Sequence, residues 1–450
     1  GARVDYENNV AKFPKSVISN FIGEVLKEDK STWDSWVKGI DRMVVYSGYI
    51  PYDDNIGIKE PPLPFMTHNL STYYYDDEKK ERRLGNKKDF IELIKLGDGL
   101  HPENGMGHAL NLVKDVPAEI EPLEAALILM EYSHNPSGVY IHEVEQIKYI
   151  EEIEDIFGIN NPYFPFLANI PCSSPLKLEK AVADRYVYML KTGIYPAKLT
   201  AMPVSGVNIP ITTAGSIVIV AAEFIALWLA ARIIQSDKIP LCGLPVSGTL
   251  DIRSGDISFT AFDAMMVRLG ICDFIRSITG IRVAPGPGEW NPTKLPGLYC
   301  ALEKAYAAMI STAFTGYHPD IGIGHIDSGL TISPVQLIIE RDLSKSLKFL
   351  EKPPVNKETL GMDAILEIGF GRKENFMSNT HTVRNMKDSS WMPEYFSREG
   401  WSLEIEEKTI KNALKKVHEI KALYKKPEGM EDKVAKAKKV IEKAKKELLK

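Results

Sequence analysis

His142, Glu143, Glu289, His325, Asp327, His381 and Arg384 each stand at or just beyond the end of a short apolar run. Side chains of these kinds can pair a carboxylate, hold an anion or move a proton. Several of them converging at one end of a sheet is how small-molecule sites are built. Asn169, Cys172, Ser205, Asp251 and Arg253 occupy similar places. Aromatic residues accompany them at Tyr163, Phe164, Trp290, Tyr317, Phe370 and Trp391. Taken singly these pack cores; as a set their ring faces could cage a quaternary ammonium ion. The loop Pro285–Trp290 (PGPGEW) presents a carboxylate beside an indole, and Gly322–Gly329 (GIGHIDSG) lets backbone approach a ligand closely. The latter lacks the Lys-Ser/Thr ending of a phosphate loop. No GxSxG, HExxH or kinase motif set occurs. Glu143 and Glu289 could form an acid/base pair, which keeps open a barrel hydrolase or lyase. No Cys/His spacing suits zinc, so no bound metal is expected.

The elements that must position these residues alternate along the chain. Apolar runs at 108–113, 139–144, 164–170, 197–204, 239–245, 281–284, 320–326 and 375–378 read as strands. Between them lie segments with helical spacing, at 122–132, 146–157, 178–192, 213–235, 262–279, 298–314 and 333–350. Strand–helix alternation implies parallel strands with right-handed crossovers. Eight units fit a closed (β/α)8 TIM barrel better than an open sheet, and the first turn has no GxGxxG. The expected organisation is an N-terminal extension (1–104), a catalytic α/β barrel (105–400) and a helical tail (401–450). In the extension, Ser16–Leu26 reads as a helix and Asn69–Tyr75 as a strand entering a hairpin. In the tail, Val434, Ala437, Ile441, Ala444 and Leu448 form a narrow stripe suited to edge packing.

Composition sets the outer limits. In 450 residues, 44% are apolar and 26% charged, which excludes a disordered or collagen-like chain. The net charge of −5 is uneven: residues 401–450 hold 15 Lys/Arg and 9 Asp/Glu, leaving 40 against 51 in the first 400. An acidic body with a basic tail argues against a nucleic-acid partner. Cys172, Cys242, Cys272 and Cys300 are far apart and read as reduced thiols of a cytoplasmic protein. The stretch 217–234 is apolar enough to suggest a membrane span. Glu223 near its centre, at ~2.5–3.5 kcal/mol in a bilayer, favours a buried outer helix and no membrane partner.

The segment Ala201–Ser216 (AMPVSGVNIPITTAGS), with Ala222-Glu223 on the helix that follows, resembles a signature of the trimethylamine methyltransferase superfamily. The likeness continues in order through Asp251–Gly255 (DIRSG), Lys294, Glu303-Lys304 and Gly322–Leu330 (GIGHIDSGL). It ends with Thr380–Arg384 (THTVR) before Trp391–Arg398 (WMPEYFSR), and spans about residues 70–400. The resemblance implies a (β/α)8 enzyme that moves a methyl group from a methylated amine to the cobalt of a separate corrinoid (cobalamin) protein. The founding enzyme uses pyrrolysine in the mouth region near the seventh strand. This chain reads as standard residues there, with no Lys between Lys304 and Lys345. That points to the members acting on quaternary amines, glycine betaine foremost, and to a homo-oligomer. Within this frame His325 and Asp327 are the expected catalytic residues. His142, Trp290, Tyr317, Phe370, His381 and Arg384 are the expected substrate-binding set. A quaternary-amine binding protein without turnover is the remaining alternative.

Overall fold

A computed structural model describes residues 1–34, 48–52, 70–102, 105–161, 164–167, 170–194, 196–235, 239–286, 289–316, 321–350, 354–369, 375–396, 398, 400 and 403–449. The helical segments form where their spacing places them. They run Lys15–Lys27, Glu121–Tyr132, Ile147–Phe157, Lys180–Thr192, Thr213–Ile234, Phe262–Thr279, Leu298–Thr315 and Pro334–Ser346. Local chemistry fixes several boundaries. Thr212 and Ser333 cap their helices through side-chain oxygens, and Gly158, Gly193, Gly280 and Gly316 end theirs in the left-handed conformation.

The molecule is mixed α/β, but its β residues fall into five sheets of two to four strands among the described residues. No closed eight-stranded barrel is found among the described residues. Proline, which gives no N–H to a ladder, stands at strand ends: Pro165 and Pro171 start strands, and Pro245 ends one. The longest parallel unit orders Leu241–Pro245, Ala197–Ala201 and Pro171–Cys172, with Leu241 opposite Ala197 and Pro171 opposite Thr200. Val139–Tyr140 pairs in parallel with Pro165–Phe166.

The run at 375–378 is not a strand. The Asn375 side chain accepts from the Met377 N–H at 2.9 Å, a local bond that competes with a ladder, and Met377 is exposed. Thr331–Ile332 instead pairs in parallel with Tyr73–Tyr74, so the expected hairpin Tyr73–Asp76/Glu81–Leu84 joins the same sheet as His325–Ile326.

The helix Thr213–Ile234 is long and apolar enough to cross a membrane, yet it is packed along one side. Phe224 and Trp228 are fully buried, and the Trp228 Nε1–H is shared by the carbonyls of Ala197 and Cys242. Glu223 accepts from Leu176 N–H and Ser174 O–H, at 2.8 and 3.0 Å. Val218 and Ile233 face outward, so burial is one-sided. In the tail, helix Glu431–Leu448 packs its Val434, Ala437, Ile441 and Ala444 stripe on Ile147–Phe157, with Lys443–Glu152 and Lys148–Glu447 ion pairs along the seam.

Candidate active site

Two backbone segments, 289–293 and 323–328, build the centre of the site. They are tied by Asp327 N–H to Thr293 O (2.7 Å) and Ser328 N–H to Asn291 O (2.6 Å). Asp327 and Ser328 both have φ near +55°, a conformation costly for residues with a Cβ and found where a side chain must be aimed. Gly324 has φ +83°, and a Cβ there would meet Ser333 O at 2.5 Å, so only glycine fits this approach.

Beneath these segments lies an ion cluster. Lys304, Glu289 and Glu340 are each at most 1% exposed. The Lys304 ammonium donates to Glu289 Oε2 at 2.8 Å, to Glu340 Oε1 at 2.5 Å and to the His325 carbonyl. The remaining carboxylate oxygens accept from Ile323 N–H (3.2 Å) and Gly324 N–H (3.0 Å). Burial alone would lower the Lys304 pKa; the two carboxylates outweigh it and hold the ammonium above its ordinary range. Glu289 is thereby committed to a buried pair, and Glu143 caps the turn before Ile147 with Gln146. With Glu289 tied into the cluster, Glu143 and Glu289 do not form the free carboxylate pair a hydrolase would need.

Above the cluster Asp327 accepts from Lys294 at 2.6 Å and from Arg82 at 2.8 Å. Lys294 also reaches Asp256 at 3.3 Å. The Asp327 side chain is 9% exposed while those of Lys294 and Arg82 are about half exposed, at 53% and 41%. Trp290 sits next to the buried Glu289 and packs edge-on against Phe259, ring centroids 5.8 Å apart, in an apolar cluster with Val204, Leu244 and Val246.

The structure thus brings Trp290, His325 and Asp327 onto one pair of linked segments. His325 is 1% exposed on the strand His325–Ile326. It belongs to a core rather than to a flexible glycine loop, so its substitution also tests folding. His142 follows the strand Val139–Tyr140, and its Nε2–H points to Glu121 Oε2 at 3.2 Å. Fully buried Glu121 also accepts from His108 Nε2 (2.8 Å) and Leu112 N–H (2.9 Å). His381 and Arg384 lie on the helix Thr380–Ser389, none of whose residues is buried. The described contacts do not join them to the other site residues. Asp251 and Arg253 pair with each other in an exposed turn. Tyr317 and Phe370, with Tyr163 and Asn169, lie outside the described residues.

A family signature, trimethylamine methyltransferase (MTTB), matches residues 19–448. The chain belongs to the trimethylamine methyltransferase family. It is 21% identical over 415 residues to trimethylamine methyltransferase MttB of Desulfitobacterium hafniense, an alignment covering 89% of this chain and 77% of that protein. To trimethylamine methyltransferase MttB1 of Methanosarcina mazei it is 25% identical over 256 residues, 54% of this chain and 50% of that one. The Methanosarcina acetivorans MttB1 gives 26% over 221 residues, 48% and 43%. The matched part therefore spans about half the length of these Methanosarcina relatives.

The motifs Lys294, Glu303-Lys304 and GIGHIDSGL supply Lys304 to the ion cluster, and Lys294 and Asp327 to the charged group above it; Glu303 instead accepts from Thr260 Oγ1 at 3.0 Å. Glu289, Glu340 and Arg82 are further members that the motifs do not point to, and Glu121 with His108 forms a separate group at His142. A signal existed for Lys304: it falls on the same helical face as Cys300, Ala301, Ala307, Ala308 and Ser311, where a lysine must be paired.

The Glu121 group also sets an acid limit on stability. Burial raises its carboxyl, but the two imidazoles and the Leu112 N–H prevail and hold it at about 2, against 4.5 for an ordinary glutamate. A depressed folded-state value gives stability that is complete above pH 4.5 and lost as pH falls toward 2. Glu121→Gln is expected to flatten the acid-unfolding curve in that window, measured by circular dichroism at fixed urea. A curve identical to the wild type would show that Glu121 is not ionised in the fold.

Proposed function

We propose that this chain transfers a methyl group from a quaternary amine, glycine betaine leaving as dimethylglycine, to the cobalt(I) of a cognate corrinoid protein. Membership of the family over residues 19–448 carries the reaction class. The relatives' names give trimethylamine as their substrate. The choice of a quaternary amine rests on the ordinary side chains this sequence has where the founding enzyme has pyrrolysine.

The chemistry is consistent with that choice. A quaternary nitrogen leaves as a neutral tertiary amine without a proton from the enzyme, while the corrinoid supplies the nucleophile. Charge is annihilated as the methyl moves, so a dry, apolar surround lowers the barrier relative to water. A strong anion beside the nitrogen would hold the ground state more tightly than the transition state. Aromatic faces, worth ~0.5–2 kcal/mol each, orient the cation at less cost to the rate. Trp290 is the proposed cation wall, with Tyr317 and Phe370. Half-exposed Lys294 and Arg82 join His142, His381 and Arg384 as donors for the betaine carboxylate, and His325 and Asp327 shape the loop between them.

We take 105–400 as the catalytic body and its architecture as a (β/α)8 barrel. Backbone bonds between successive expected strand runs support this: Ser71 N–H to Ala109 O, His108 N–H to Gly138 O, Val139 N–H to Phe164 O, Thr200 N–H to Ile170 O and Ala284 N–H to Gly243 O. The four cysteines are free and buried, which suits a reducing cytoplasm.

Incubation with glycine betaine and reduced free cobalamin, followed by absorbance, tests the reading. Methylcobalamin should form with betaine and about tenfold more slowly with choline, which lacks the carboxylate and its charge-assisted bonds. No methylcobalamin from any quaternary amine, with product from trimethylamine, would overturn the substrate. Equal rates for betaine and choline would remove the carboxylate-binding role.

A further inference from the structure

Residues 1–12 form a hairpin that stands clear of the body. Arg3–Asp5 pairs antiparallel with Val10–Lys12, and the Asp5 carboxylate closes the turn by accepting from Asn8 N–H at 3.0 Å. Cross-strand partners share a face. Val4 lies opposite Ala11, and alternation adds Ala2 and Tyr6 to that apolar side. Arg3 opposite Lys12, and Asp5 opposite Val10, make the other side. All twelve residues are exposed, Val4 at 51% and Tyr6 at 86%. A lone two-stranded hairpin is marginal in water and needs something to pack against. Among the described residues nothing covers its apolar side.

The body carries a matching bare face. Helix Thr213–Ile234 has two charged residues, and both are turned to partners: Glu223 to Ser174 and Leu176, Arg232 to Glu28. Its outward side, at Ala214, Val218 and Ala222, is exposed and uncharged. Helix Phe262–Thr279 packs alongside, so closely that a Cβ on Gly270 would meet Ile217 at 2.9 Å. Val218, next to Ile217, and Met266, one turn before Gly270, flank that seam. From there the surface continues through Phe262, stacked on Tyr306 at 4.8 Å, to Leu302 and Tyr299 on the helix Leu298–Thr315. Val218, Met266, Phe262, Leu302 and Tyr299 are each 61–64% exposed. Together they show on the order of 600 Å², the top of the range for the largest patch on a monomer. The hairpin is joined to helix Lys15–Lys27, which packs on Thr213–Ile234 and Phe262–Thr279, so the arm leaves the body beside this face.

We propose that a second copy of this chain covers both surfaces: each copy lays the Val4 and Tyr6 side of its arm on the Val218, Met266 and Phe262 face of the other, about a two-fold axis. Area argues for this occupant. A stable interface hides about 800 Å² on each partner. The face alone falls short of that, whereas face and arm together, offered once by each copy, reach it. Two-fold exchange is self-complementary, so one kind of contact satisfies both bare surfaces. Charge selects no other partner. Arg3 and Lys12 balance Asp5 and Glu7 on the arm, and the five residues of the face carry no charge. Within one chain the arm leaves the face open. The assignment is independent of which amine the enzyme demethylates.

Sedimentation equilibrium of the full chain over a wide concentration range should give at least the mass of a dimer. Met266→Lys, and separately the pair Val4→Asp with Tyr6→Asp, change exposed positions and should keep the circular dichroism of the wild type. Each should weaken self-association by about tenfold or more, as loss of a central contact does. Mixing Tyr6→Cys chains with Met266→Cys chains under mild oxidation should join two chains by a disulfide, the four native thiols being buried. A wild type that is monomeric at every concentration would overturn the proposal. So would self-association that either variant leaves unchanged, or a Tyr6→Cys/Met266→Cys chain that closes its disulfide within one molecule at high dilution.

Discussion

Lys304→Met is expected to lower the unfolding free energy by about 3–5 kcal/mol, the range for removing one partner of a buried ion pair. The ammonium is the shared counter-charge for Glu289 and Glu340, at 2.8 and 2.5 Å, with all three side chains out of water. Without it, two carboxylates face each other in the core. The loss should appear as a lower urea midpoint with an unchanged slope. The triple variant Lys304→Met, Glu289→Gln, Glu340→Gln should recover most of the loss. Each Gln keeps an oxygen for the Ile323 and Gly324 N–H groups, and no unpaired charge remains. A single variant as stable as the wild type would mean that the cluster is not ionic.

That cluster shows where the sequence was informative and where it was not. Helices such as Thr213–Ile234 and Leu298–Thr315 were legible because period and caps are local properties. The strand at 375–378 was misread because an apolar pair between Asn375 and Ser378 has the composition of a short strand, while the Asn side chain turns the backbone. A closed barrel was expected from the alternation; among the described residues the mixed α/β order is seen, and the strands fall into five short sheets, with prolines 165, 171 and 245 at strand ends. Asp327 was picked out by type and place. Its partners were not, since Arg82 is 245 positions away and reaches it only through the pairing of Thr331–Ile332 with Tyr73–Tyr74. His325 was assigned from a glycine-rich neighbourhood, and the glycines serve close packing at Gly324 rather than mobility. Trp290 and Lys294 lie together because the segment after Pro285 is held by Ser328 and Asp327, a long-range bond with no sequence signature.

For the methyl transfer from glycine betaine to cobalt proposed above, Asp327→Asn is expected to reduce kcat/KM by about 100-fold, the scale of a 1 Å misplacement near the chemistry. Asparagine keeps the size of the side chain and tolerates φ +55°, so the backbone of the 327–328 turn should survive. The carboxylate charge between Lys294 and Arg82 is lost. Both cations are half exposed and can be solvated, which limits the stability change to about 1 kcal/mol. An ammonium no longer held at 2.6 Å can swing toward the substrate carboxylate. Betaine should then bind as tightly or more so, while its methyl is poorly aimed at cobalt. The predicted signature is a fall in kcat with an unchanged or lower KM, which a simple loss of folding does not produce. Asp256→Asn should be nearly silent, because Asp256 is the more distant and more exposed partner of Lys294. Full activity in Asp327→Asn would leave the charged ring a structural clasp. A rise in KM with unchanged kcat would make Asp327 a binding residue for the ammonium group, reversing the assignment of charge across the site.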